Sequence, residues 1–319
     1  MNDTEPQRWG DKRYNSLNYQ LRRQFGEKVG KVTLDGGFTC PNRDGSLAWG
    51  GCAFCSAKGS GDFIACRGKA IAEQYEQGQK TLRNKWAVNK YIAYLQSFTN
   101  TYAPVDKLRE VYTAALSLPG VIGLSIATRP DCLPEDVLDL LEEINRRHYL
   151  IVELGLQTIH QRSADLLNLQ YYYRDFQGAV EKLRMRNINV CVHIILGLPG
   201  EEREDMMFTA QAVARQPVQG IKIQLLHLLQ DTPLAASYAQ SPFPLLSREA
   251  YVDLVADIIE ILPPQIVIHR LTGDGPKTSL IGPAWSMGKR AVLNAIEREL
   301  RLRNSWQGKG YGKNSPGES

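Results

Sequence analysis

Apolar residues fall in short runs separated by amphipathic stretches. The runs occupy 31–34, 91–98, 121–127, 150–156, 188–196, 221–228 and 265–270. They read as apolar strands rather than alternating ones, the pattern of a parallel sheet covered by helices. Between them lie helical repeats. Pro134 can open a helix at its first position, with Val137, Leu138, Leu141 and Ile144 along one face. Phe176, Val180 and Leu183 recur at helical spacing, and Ser247 can cap a helix carrying Tyr251, Leu254, Val255, Ile258 and Ile259. Strand and helix alternate every ~30 residues, which predicts βαβ units with right-handed crossovers and an α/β fold. Periodicity does not say whether the sheet closes. The segment after Asn304 is rich in Gly, Lys and Ser and is expected to be mobile.

The chain has 319 residues, 43% hydrophobic and 23% charged. Those values exclude a mainly disordered, collagen-like or coiled-coil architecture. No run of about 18 apolar residues occurs, so no membrane-spanning helix is expected. Residues 1–10 are polar and carry no apolar secretory core, which points to the cytosol. The net charge is +4 and uneven: seven basic against four acidic groups in 1–31, and seven against three in 285–319. Basic ends suit a polyanion such as RNA, and suit ordinary solvated faces equally well.

Six cysteines, Cys40, Cys52, Cys55, Cys66, Cys132 and Cys191, are too few for a disulfide scaffold. In a reducing compartment, clustered thiols bind metal or do chemistry. Cys52 and Cys55 have two residues between them. Cys40 precedes them by an eleven-residue loop in which Gly45, Gly50 and Gly51 let the chain fold back. The loop follows the first strand, at the end where α/β sheets place their sites. Two inorganic readings fit. Zinc wants four ligands; no histidine precedes His148, so Cys66 would have to serve. A 4Fe–4S cluster held by three cysteines leaves one iron open for a ligand. Cys132 and Cys191 read as small core residues.

The triad ends in Cys-x-aromatic-Cys, with Phe54 at the aromatic position, and so resembles the radical S-adenosylmethionine (SAM) superfamily. Its long first gap resembles the branch containing the Elongator catalytic subunit. Gly-Gly-Phe-Thr-Cys-Pro-Asn-Arg-Asp-Gly at 36–45, Gly-Cys-Ala-Phe-Cys at 51–55 and Ser-Ile-Ala-Thr-Arg-Pro-Asp-Cys-Leu-Pro at 125–134 resemble the YhcC/YtqA-type bacterial family. The resemblance implies a partial (β/α)6-type radical SAM barrel with short N- and C-terminal extensions. The barrel would span 31–285 with its C-terminal strand–helix additions, after an extension at 1–30 and before a basic helix and tail at 286–319. It implies a 4Fe–4S cluster on Cys40, Cys52 and Cys55, SAM as second cofactor, and a flavodoxin or ferredoxin as electron donor. SAM would be cleaved reductively to a 5′-deoxyadenosyl radical, with the wobble uridine of tRNA as the suggested substrate. The barrel pattern uses up the chain before its tail, so acetyl-CoA chemistry is not expected. The alternatives are a small-molecule or cofactor-precursor substrate, and a zinc-stapled RNA-binding module.

The resemblance also assigns residues. The second strand usually ends in a Gly-Gly-Glu-like turn that takes the amino group of SAM. Here 96–101 reads Gln-Ser-Phe-Thr-Asn-Thr, so that role passes to Gln96, Thr99 or Asn100. Arg129 would contact an anionic group, with Asp131 orienting it or capping the next helix. Glu153, Gly155 and Gln157 match a Glu-x-Gly-x-Gln pattern. A charged residue in an apolar strand is costly unless paired, an arginine being one such partner for Glu153. Gln157 would bond the ribose or the carboxylate. Gly197 and Glu201 belong to a Gly-Leu-Pro-Gly-Glu turn placed near adenine, although Glu201 also suits a helix N-terminus. Gln224 or His227 would face the cavity. His193 reads as a substrate contact or a core histidine. His269 and Arg270, before a Gly273-Asp274 turn, suit an anionic substrate.

Overall fold

The computed structural model describes residues 6–312 apart from 60, 62, 63, 65 and 274. Asp274, singled out above, therefore lies outside the described residues. Helix α1 (Leu17–Phe25) precedes β1 (Val29–Leu34). There follow α2 (Ile71–Arg83), β2 (Lys90–Leu95), α3 (Val105–Leu116), β3 (Val121–Thr128), α4 (Glu135–Asn145), β4 (Tyr149–Gln157), α5 (Gln161–Leu166), α6 (Tyr173–Met185), β5 (Asn189–Leu196), α7 (Arg203–Ala214) and β6 (Gly220–Leu225). The chain ends with β7 (Leu228–Leu229), α8 (Pro233–Gln240), α9 (Arg248–Ile261), β8 (Val267–Arg270), β9 (Leu280–Gly282) and α10 (Lys289–Leu302). Seven strands form one sheet in the order β1-β2-β3-β4-β5-β6-β8. Every neighbouring pair is parallel. Among the described residues no ladder joins β1 to β8, so the sheet curls into a half-barrel without closing. No described helix is long and apolar enough to cross a membrane.

The strands alternate, contrary to the expectation of uniform apolar runs. One face of the sheet packs under the helices in a single core: Val32 and Leu34, Leu124 and Ile126, Val152 and Leu154, Val192 and Ile194, Ile221 and Ile223. The alternate positions face inward, and many of them are polar: Tyr94, Gln96, Glu153, Gln157, His193, Lys222, Gln224 and Arg270 line a cavity. A strand alternates when its two faces meet different surroundings. Here one face meets helices and the other meets the cavity.

The helices follow their sequence signals closely. The Ser247 side chain accepts from the Ala250 N–H at 3.1 Å, capping α9. Pro134 stands at the cap position, one residue before α4 begins, with Val137, Leu138, Leu141 and Ile144 buried. The segment after Asn304 is not loose as far as residue 312. Gln307 is fully buried. It accepts from the Asn15 N–H at 2.8 Å and donates to the carbonyls of Pro263 and Ile266 at 2.7 and 2.8 Å. Backbone groups that would otherwise be orphaned hold this stretch in place.

Candidate active site

The cysteine loop is shaped by its own backbone. The Cys40 carbonyl accepts from the N–H groups of Arg43 and Asp44, and the Gly51 N–H returns to the Asn42 carbonyl at 2.7 Å. Gly50 and Gly51 both take left-handed backbone, with φ of 83° and 85°, which favours glycine. The Cys55 N–H closes a turn on the Cys52 carbonyl at 2.9 Å. Arg43 clamps the far side, donating to the carbonyls of Cys55 and Ser56 at 3.1 and 2.6 Å. Asn42 donates to the Cys52 Sγ at 3.5 Å and to the Asn168 carbonyl at 2.6 Å.

Cys40, Cys52 and Cys55 thereby reach one cavity of about 160 Å³ at the C-terminal ends of the strands. Among the described residues, no three His, Cys, Asp or Glu side chains gather around one point fit for a single metal ion. Three cysteines on one cavity suit a cluster that takes one thiolate per iron and keeps one iron open, whereas a closed zinc site wants a fourth ligand. Cys66 is exposed and stands off the cavity. Burial pushes the Cys52 thiol up to about 12, and the neighbouring Cys55 and Cys40 push the same way. Three thiolates can share such a cavity only against positive charge, and the irons of a cluster supply it.

The same cavity is lined by Gln96, Thr99, Arg129, Glu153, Gln157 and Gln224. Arg129 forms a bidentate pair with Asp131 at 2.9 and 2.7 Å and lies 4.8 Å from the Tyr171 ring centre. Its remaining nitrogen, Nη1, is buried without a hydrogen-bond partner. Gln157 sits at a register shift between β4 and β5, with φ of 68°. Its Oε1 is also buried without a partner. Gly155 leaves the room for it, because a Cβ there would come within 2.6 Å of the Gln157 Nε2. One unused donor and one unused acceptor therefore belong to residues that line the same small cavity. A buried polar atom without a partner is costly, and a zwitterionic ligand satisfies both kinds.

Glu153 is fully buried on the cavity floor and is paired with lysines, not with an arginine. Its Oε1 takes Lys31 and the Ser125 hydroxyl, and its Oε2 takes Lys222 and His193. Burial works against its charge, but Lys222 and Lys31 outweigh burial and hold the carboxyl well below the ordinary range. Burial and Lys222 lower His193 to about 4, so the neutral ring donates its Nε2–H to Glu153. Tyr94 accepts from Lys222 at 3.0 Å and carries Lys31 over its ring at 3.8 Å.

Three assigned residues lie off the cavity wall. Asn100 spends its amide donors on the carbonyls of Ser97 and Ala127, at 3.0 and 2.9 Å, and so clamps the strand-end turn. Gly197 turns the chain with φ of 83°. Glu201 accepts from the Thr158 hydroxyl at 2.6 Å and ties two neighbouring turns together. His269 lines a separate pocket near α1, at the opposite ends of the strands. Lys31, Tyr94, Tyr171 and Lys222 belong to the site without having been singled out. The available signal was a single charge inside an otherwise uncharged strand, as at Lys31 and Lys222.

A second cavity of about 580 Å³ adjoins the first and shares Phe54, Gln96, Gln224 and Arg270 with it. Residues 40–213 match the radical SAM superfamily, and residues 218–301 match the radical SAM C-terminal domain. The chain belongs to the radical SAM superfamily. It is 55% identical over 299 residues to the uncharacterized protein YtqA of Bacillus subtilis, spanning 94% of this chain and 93% of that one. It is 26% identical over 187 residues to a tRNA uridine(34) acetyltransferase of Dehalococcoides mccartyi, covering 56% of this chain and 40% of the relative. The structure of the archaeal Elp3 of Methanocaldococcus infernus superposes with a TM-score of 0.66 at 15% identity, over 90% of this chain and 67% of that one. That superposition shows the same half-barrel fold, and the chain is a radical SAM enzyme by family.

Proposed function

We propose that the protein holds SAM in the smaller cavity against a 4Fe–4S cluster on Cys40, Cys52 and Cys55, and uses it to modify the wobble uridine of tRNA in the cytosol. The observation that carries the cofactor reading is the shared cavity: three cysteines line it together with Arg129 and Gln157, whose Nη1 and Oε1 are buried without a partner. Cys40, Cys52 and Cys55 would hold the cluster, which, with a flavodoxin or ferredoxin as electron donor, would supply one-electron cleavage of bound SAM and so hydrogen-atom abstraction from a substrate. The chain's own residues position and enclose. Arg129 offers its free N–H to the SAM carboxylate, and Gln157 and Gln96 offer oxygens to the ammonium. Thr99 and Gln224 stand on the flanks, where ribose and adenine fit. Neutral His193 and paired Glu153 keep the floor ordered and dry.

An RNA substrate is supported by the likeness to a tRNA uridine(34) acetyltransferase over 56% of this chain and by the basic excess at both ends. The test compares nucleosides of tRNA from cells with and without the gene. Loss of one wobble-uridine modification, with build-up of its precursor, is expected. An unchanged profile would overturn the RNA substrate and favour a small molecule in the larger cavity.

A further inference from the structure

The inward faces of the strands carry more positive charge than the site consumes. Among the described residues lining the two cavities, Glu153 is the sole carboxylate. Its two oxygens already take four donors, about the capacity of a carboxylate. Arg270 lies directly across from Lys222 in the β6–β8 register. It lines both cavities. It has no ion pair and no side-chain hydrogen bond among the described residues, and its charge works against that of Lys222. Lys277 adds a further cation to the wall of the larger cavity. An unpaired guanidinium beside a buried ammonium is unfavourable unless a ligand brings the counter-charge.

The geometry points to Arg270 as the anchor for an anionic group of the substrate, a carboxylate or a phosphate, seated in the larger cavity beside SAM. The planar fork of an arginine fits either oxyanion with two parallel bonds. The assignment deepens the proposed function and rests on SAM filling the smaller cavity. It gives Arg270 a role distinct from Arg129, whose fork is already occupied by Asp131 and which lines the smaller cavity but not the larger one.

The test measures equilibrium binding of acetate, malonate and inorganic phosphate to the cluster-loaded protein, with and without SAM, for wild type, Arg270→Gln and Arg270→Lys. Saturable binding to wild type is expected, at least tenfold weaker in Arg270→Gln and intermediate in Arg270→Lys. Preference for acetate or malonate identifies a carboxylate, and preference for phosphate identifies a phosphate. Because Arg270 pairs with no described residue and its charge opposes that of Lys222, Arg270→Gln should melt no lower than wild type. Absence of anion binding to wild type, equal binding by Arg270→Gln, or a parallel loss of SAM affinity overturns the proposal. Failure of wild type to bind SAM at all would sink the cofactor reading, and the anion series without SAM would still decide the role of Arg270.

Discussion

Lys222 and Glu153 form a buried ion pair across the half-barrel, on β6 and β4 with β5 between them. The Glu153 side chain is 0% exposed and that of Lys222 is 6% exposed. Breaking such a pair from one side leaves uncompensated charge, at a cost of about 3–5 kcal/mol. Glu153→Gln should lose that much in urea unfolding, because Lys31 and Lys222 both lose their partner. Adding Lys222→Met should recover at least about 1 kcal/mol. Losses that simply add would contradict the pairing.

The same carboxylate sets a pH dependence. Its folded pKa lies well below the ordinary carboxylate range, because Lys222 and Lys31 outweigh burial. Below about pH 4.5 the unfolded chain takes up that proton first, so this contribution is present at neutral pH and is lost on acidification. The stability gap between wild type and the Glu153→Gln/Lys222→Met double variant should therefore shrink between about pH 6 and pH 3. Urea midpoints across that range report it; a gap that widens would contradict the assignment.

Arg129 and Gln157 separate binding from folding. A hydrogen bond to a charged group contributes roughly 1.5–3 kcal/mol, so Arg129→Gln should weaken SAM about 10- to 100-fold. Gln157→Gly removes the free acceptor and also relieves a left-handed backbone, with φ of 68°. SAM affinity should fall while the melting temperature holds. Unchanged affinity, measured by calorimetry on the cluster-loaded protein, would remove Gln157 from the site.

Gln307 makes a further prediction far from the cavity. Gln307→Ala leaves three buried backbone groups, on Asn15, Pro263 and Ile266, without their partner. Each unmet group costs about 1–3 kcal/mol, so a loss of at least about 2 kcal/mol is expected in chemical denaturation. A neutral substitution would return the segment to the mobile tail that its composition suggested.

Much of the architecture was legible because parallel strands are short and apolar and their helices carry clear caps. All seven strands of the main sheet lie at or within a few residues of an apolar run. Their alternation was harder to see. The inward positions mix polar groups with small or apolar ones, such as Gly123, Ala127, Cys191 and Ile195, so the two-residue period is broken in sequence. The grouping of Cys40, Cys52 and Cys55 was legible by spacing, and all three line one cavity. Asn100 and Glu201 were not separable from the site by sequence, since a turn clamp and a ligand contact use the same amide or carboxylate. The counter-ions of Glu153 come from β1 and β6, 122 and 69 positions away, and only folding joins them.

Quantifying 5′-deoxyadenosine released from SAM by the anaerobically reduced protein tests the central claim most directly. Wild type and Cys66→Ala should both form it and hold iron with sulfide, whereas Cys52→Ala should lose the iron and form none. Cleavage retained by Cys52→Ala, or abolished in Cys66→Ala, would contradict a three-cysteine cluster with an open iron for SAM.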